Sequence, residues 1–123
     1  MQVLLVDDDA LILGVLTGLL ESLGHAVISA DNAADAELAF SVHGQVEVLL
    51  SDYHLPETTG LMLATRIAAH KPELRVILMS GGDPEQETLN EIRNRDWAFL
   101  PKPMSHSDLV RVLRNSPGPC EAD

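Results

Sequence analysis

Aromatic residues are nearly missing from this 123-residue chain: one Trp, one Tyr and two Phe make up 3% of it. The core must therefore be aliphatic, built from Leu, Val, Ile and Ala. The single cysteine, Cys120, excludes an internal disulfide and suits a reducing, cytoplasmic setting. Bases are few, 8 against 19 acids, for a net charge of −11. That field repels nucleic acid and anionic membrane, so direct DNA or RNA binding by this segment is not expected; it attracts cations and basic partner surfaces. The longest apolar run, Ala10 to Leu20, is too short for a bilayer, and the three aspartates before it argue against a signal peptide. What remains is the length and composition of one globular domain, able to bury about two-thirds of its unfolded surface.

Short apolar runs recur: VLLV (3–6), AVIS (26–29), VEVLL (46–50), LRVILM (74–79) and WAFL (97–100). Without polar alternation they read as strands covered on both faces, as in a parallel sheet. Helical spacing fills the gaps. Ile12, Leu16, Leu19, Leu20 and Leu23 form a stripe ended by Gly24. Ala36, Leu38, Ala39 and Phe40 follow Asp31 and Asn32, either of which can cap a helix; Leu61, Ala64, Ile67 and Ala68 form a third stripe before Pro72. Asp83-Pro84-Glu85-Gln86 predicts a fourth helix start, with a capping acid, proline in the first turn and Gln86 closing a capping box; Ser105 to Asp108 predicts a fifth. The stretch 116–123 carries no packing signal and reads as a tail or linker, leaving residues 1–115 as the domain. Five strands alternating with five helices predict an α/β fold: a doubly wound five-stranded parallel sheet, order 2-1-3-4-5, between two helical layers.

In such sheets the ligand lies beyond the carboxyl ends of the strands. Polar residues stand at those ends: Asp7, Asp8 and Asp9 after strand 1, Asp52 after strand 3, Ser80 after strand 4, Lys102 after strand 5. Crowded carboxylates repel, and a hard divalent cation such as Mg²⁺ removes the repulsion through oxygen ligands. Zinc has no support, since there is no cysteine pair and the five histidines lack ligand spacing. A carboxylate can also act as a nucleophile and form an aspartyl phosphate, whose oxygens need a cation and hydrogen-bond donors. Lys102 offers the cation; Ser80 and the backbone of Gly81 and Gly82 offer donors. Taken singly, Asp9 reads as a helix cap, Ser80 as a turn residue and Lys102 as a solvated charge; their joint placement points to a site.

These pieces, Asp7-Asp8 after VLLV, DYHLPETTG (52–60), LMSGG (78–82) and FLPKP (99–103), resemble in order and spacing the CheY-like receiver domains of two-component response regulators, from about Val3 to Arg114. The resemblance implies a flavodoxin-like fold and a phosphorylation-controlled switch in a phosphorelay. Asp52 would accept a phosphoryl group from a histidine kinase or a histidine phosphotransfer protein. Mg²⁺, replaceable by Mn²⁺, would sit on Asp8, Asp52 and the backbone carbonyl of His54, with Asp7 acting through water. Lys102 would pair with the phosphoryl group, Ser80 and the backbone of Gly81 would receive it, and Ser80 with Phe99 would switch the helix 4–strand 5–helix 5 surface toward a downstream protein. The Lys102–Pro103 bond would be cis. No turnover of an external substrate is expected, and the domain would be a monomer or a phosphorylation-dependent dimer. It would stand alone, as the Met before strand 1 suggests, or belong to a longer regulator or hybrid kinase.

Some positions depart from the family pattern: Arg95-Asp96 where Gly-Ala is usual, Trp97 before the switch aromatic, Met104 after Lys-Pro, Thr59 before Gly60. Pro56 is expected to stiffen the loop behind Asp52, and Gly60 to help it turn. Two other readings compete. Asp7 and Asp9 form a D-x-D pair, as in haloacid dehalogenase-like phosphohydrolases, with Asp7 as nucleophile and Asp9 as general acid. The chain would otherwise be a phosphorylation-independent binding module that keeps the fold without its chemistry. The His54 imidazole is a candidate for influencing water attack on the phosphoaspartate.

Overall fold

The computed structural model describes residues 1–82, 84–102 and 104–115. Asp83 as a capping acid, the Lys102–Pro103 bond, Cys120 and the tail at 116–123 lie outside the described residues. Strands β1 (Gln2–Val6), β2 (Ala26–Ala30), β3 (Val48–Asp52), β4 (Arg75–Ser80) and β5 (Ala98–Pro101) alternate with helices α1 (Ala10–Ser22), α2 (Ala33–Val42), α3 (Gly60–His70), α4 (Gln86–Asn94) and α5 (His106–Asn115). The strands form one sheet in the order β2-β1-β3-β4-β5, and all four pairings are parallel.

Successive strand residues point to opposite faces, so an uninterrupted apolar run feeds two cores at once. Leu4, Val6, Leu49, Val76 and Leu78 pack with Ala36 of α2, Leu63 and Ile67 of α3 and Ile92 of α4. Val3, Leu5, Leu50, Ile77 and Met79 pack with Leu16 and Leu20 of α1 and Leu109 and Leu113 of α5. The edge strand β2 departs from the covered pattern, since only Ala30 is buried. On α2 the buried positions are Ala33 and Ala36, whereas Leu38, expected on the inner stripe, is 63% exposed. Small side chains bring α2 close to the sheet, and the leucine is left outside.

Local signals set most helix ends. Asp9 caps α1, its Oδ1 accepting from the Leu11 and Ile12 N–H groups at 2.9 and 3.4 Å; Asn32 caps α2 through the Asp35 N–H, and Thr59 caps α3 through the Met62 N–H. Ser105 and Asp108 exchange backbone-to-side-chain bonds of 3.1 and 3.2 Å at the start of α5, a capping box. The predicted start of α4 is corrected. Glu85 takes the cap position without a side-chain bond, Pro84 precedes it, and the Gln86 amide donates forward to Asn90 instead of closing a box. Helix α1 ends with Gly24 at φ 91°, and α4 ends in the same motif with Asp96 at φ 60° in the glycine position. There the Asp96 N–H donates to the Arg93 carbonyl and the Trp97 N–H to that of Ile92.

β3 begins two residues later than the apolar run suggests and continues through Ser51 and Asp52, which pair with Leu78 and Met79 of β4. A strand whose last residue is the acid holds that acid at the sheet's carboxyl edge.

Candidate phosphoryl and metal site

Parallel topology places the carboxyl ends of β1, β3, β4 and β5 along one edge, and the predicted polar residues meet there. Asp7 is fully buried and Asp52 nearly so, at 7% exposure. The Lys102 ammonium lies 2.6 Å from Asp7 Oδ2 and 3.3 Å from Asp52 Oδ2. A main-chain bond of 2.8 Å from the Lys102 N–H to the Ser80 carbonyl holds the β5 loop against the end of β4. Ser80 itself is buried, and its Oγ accepts the Gly82 N–H at 3.2 Å. That N–H is therefore engaged by Ser80, and the backbone of Gly81 is the remaining glycine donor at this turn. A Cβ on Gly81 or Gly82 would meet nothing within 4 Å, so neither glycine is required by crowding in this state.

Carboxylate oxygens of Asp7, Asp8 and Asp52 lie within 4.8 Å of one another. Three hard oxygen donors at that spacing fit a divalent cation of the Mg²⁺ type. Both Asp7 oxygens already have protein donors, Lys102 on Oδ2 and the Asp9 N–H on Oδ1 at 2.9 Å, whereas Asp8 is exposed. Asp9 caps α1 through its side chain and is not among the three acids of this cluster. Burial pushes the Asp52 carboxyl above its ordinary pKa; Lys102 and the His54 N–H at 3.3 Å pull it back, and Asp7 pushes it up again.

The loop behind Asp52 is held from both sides. The Tyr53 N–H donates to the Met79 carbonyl at 2.7 Å, and the Tyr53 carbonyl accepts the Gly60 N–H at 2.6 Å. His54 is exposed, its ring edge-on to Tyr53 at 5.0 Å. Gly60 has no positive φ, so the turn does not demand it. Space does: a Cβ there would lie 2.3 Å from the Asp52 carbonyl oxygen and 3.1 Å from Ser51 Oγ. Phe99 on β5 is half-buried and packs against the α2–α3–α4 core.

Ser51 escaped the sequence reading. Its only signal was a hydroxyl inside a run of leucines, next to the acid.

A five-stranded 2-1-3-4-5 sheet with three acids and a lysine at its carboxyl edge defines the class. The chain belongs to the response regulator receiver domain family, whose model matches residues 3–114. It is 32% identical over 114 residues to the DNA-binding transcriptional regulator NtrC of Azospirillum brasilense, covering 93% of this chain but spanning only 24% of that protein. It is 31% identical to the two-component response regulator ORR3 of Oryza sativa subsp. indica, covering 90% of this chain and 86% of that one. Among solved structures, the signal receiver domain of an HD domain-containing protein from Pseudomonas fluorescens Pf-5 superposes with a TM-score of 0.82 at 31% identity, over 94% of this chain and 92% of that one. Receiver domains are phosphorylation-controlled signalling modules of two-component systems. Among the described residues, no helix is long and apolar enough to cross a membrane.

Proposed function

We propose that residues 1–115 work as a phosphoryl-accepting switch in which Asp52 takes the phosphoryl group of a phosphohistidine on a histidine kinase or histidine phosphotransfer protein. The observation that carries this reading is the convergence of Asp52, Asp7, Asp8 and Lys102 on one edge. A carboxylate oxygen of Asp52 attacks phosphorus in line; the new O–P bond forms as the N–P bond breaks, and the imidazole leaves with the electron pair. Burial makes that carboxylate more basic, which favours attack. Lys102, held between Asp7 and Asp52, is placed to neutralise a phosphoryl oxygen. The Ser80 hydroxyl and the Gly81 N–H accompany the group as it arrives.

Asp8, Asp52 and the His54 carbonyl, with Asp7 through water, would hold Mg²⁺, or Mn²⁺ in its stead, and the ion would supply positive charge against the phosphoryl oxygens. The protein donors on both Asp7 oxygens support its indirect role. Leu11 and Val15 of α1, 76% and 60% exposed and just beyond the Asp7–Asp9 segment, give an apolar surface on which a donor protein can seat.

Phosphorylation supplies the differential contact a two-state element requires. The Ser80 hydroxyl moves toward the phosphoryl group, the half-buried Phe99 turns inward, and the surface of α4, β5 and α5 is remodelled for a downstream protein. With its acidic charge, the segment acts on proteins and not on nucleic acid, in the cytoplasm, as a monomer or a phosphorylation-dependent dimer.

Incubation with acetyl phosphate and Mg²⁺, followed by intact-mass measurement, tests the reading. The wild type gains one acid-stable, alkali-labile phosphoryl group and Asp52→Asn gains none; equal labelling of the two, or none of either, overturns it. Unchanged dephosphorylation in His54→Ala would remove any role for that imidazole.

A further inference from the structure

We infer that Ser51 is a positioning residue for the phosphoacceptor, its hydroxyl locking the Asp52 main-chain carbonyl so that the Asp52 side chain is aimed for attack. The inference rests on the phosphoacceptor reading of Asp52. Ser51 is fully buried, paired in the sheet with Val6 of β1 and Leu78 of β4. Leu49, two residues earlier and on the same face, packs into the α2–α3–α4 core. An aliphatic side chain at 51 would continue that pattern, and a buried hydroxyl is unfavourable unless it is hydrogen-bonded. Stability therefore does not call for serine here.

Among the described residues, the hydroxyl donates to the Asp52 carbonyl at 2.9 Å. The same carbonyl is also hemmed in by Gly60, where even a Cβ would intrude to 2.3 Å. The same peptide unit is tied at its other end by the Tyr53 N–H to the Met79 carbonyl, and the next unit by the Tyr53 carbonyl to the Gly60 N–H. The Ser51 bond thus completes the fixing of the peptide planes on either side of Tyr53. Those planes set the Asp52 side chain against the His54 N–H and Lys102. A misplacement of about 1 Å can cost a transfer roughly a hundredfold, so slack in this carbonyl lowers the rate without removing any group that touches the phosphodonor.

The test compares Ser51→Ala, Ser51→Cys and Ser51→Thr with wild type in acetyl phosphate titrations at saturating Mg²⁺. Ala and Cys are expected to lower the maximal phosphorylation rate about tenfold at unchanged half-saturating donor. Thr, which keeps the hydroxyl, is expected to retain the wild-type rate. Cys nearly preserves the volume, so it gives the comparison even if the Ala variant fails to fold. Wild-type rates in Ala and Cys, a change in half-saturation alone, or a Thr variant as slow as Ala would overturn the positioning role. A wild type that takes no label overturns instead the reading of Asp52.

Discussion

Lys102 and Asp7, ninety-five positions apart in the chain, meet at 2.6 Å, and the same ammonium stands 3.3 Å from Asp52. One cation thus joins two buried acids contributed by different strands. Burial pulls the Lys102 pKa down, but the hydrogen bond to Asp7 and the charges of Asp52 and Asp7 outweigh it, and the net direction is up.

Lys102→Ala leaves Asp7 buried without its counter-charge. It should cost about 3 kcal/mol, seen as a lowered urea midpoint at neutral pH without metal. The contribution of Lys102 is complete below the ordinary lysine value of 10.5 and is lost as pH climbs through the raised one. The midpoints of wild type and variant should therefore converge in strong alkali. A neutral-pH midpoint equal to that of wild type would contradict the pairing.

Asp52 is linked with the same sign, in an acid window. Its folded pKa is raised above the ordinary 3.8, so between those values the folded protein holds a proton that the unfolded chain has released. Stability contributed at this site falls as pH rises through that window and stays lower above it. Asp52→Asn should remove the fall and raise neutral-pH stability by roughly 1 kcal/mol, chiefly by sparing the burial of an ionised carboxylate and, to a lesser extent, its repulsion from Asp7. Urea titrations of both proteins from pH 3 to 7 in EDTA measure the difference; parallel profiles would refute it.

Mg²⁺ should raise the thermal midpoint by mass action, with about 2.7 kcal/mol gained at a hundred times its dissociation constant. Asp8→Ala should abolish that gain. Because Asp8 is exposed, its loss should alter metal-free stability by no more than about 0.5 kcal/mol. Retention of the full Mg²⁺ response in the variant would move the metal elsewhere.

Asp96 occupies the left-handed position that ends α4. Asp96→Gly relieves the Cβ penalty but adds freedom to the unfolded chain, for a net gain of roughly 0.5 kcal/mol; Asp96→Ala should lose a similar amount. Chemical denaturation of the three proteins would read both signs, and a glycine variant less stable than wild type would count against the strain.

Strand number, sheet order and the polar edge were legible because they follow from local rules. Uninterrupted apolar runs, helical spacing and the position of the acids at strand ends are written into short stretches such as VLLVDDD and VLLSD. Errors gathered where packing overrides local signal. Leu38 fits the helical stripe, but α2 approaches the sheet through alanines. Gln86 matches a capping box, but its amide reaches Asn90. Gly60 looks like a turn glycine, but close contact with the Asp52 carbonyl is what excludes a side chain.

From the order of residues came the fold, the identity of the acids and the lysine, and the end of the sheet where they lie, since periodicity and chemical type are properties of neighbours along the chain. Tertiary structure alone decided that Lys102 leans closer to Asp7 than to Asp52, and that Ser51 and Gly60 grip one carbonyl. Those outcomes depend on differences of less than an ångström in the contacts between segments that only the right-handed crossovers of the folded sheet bring together.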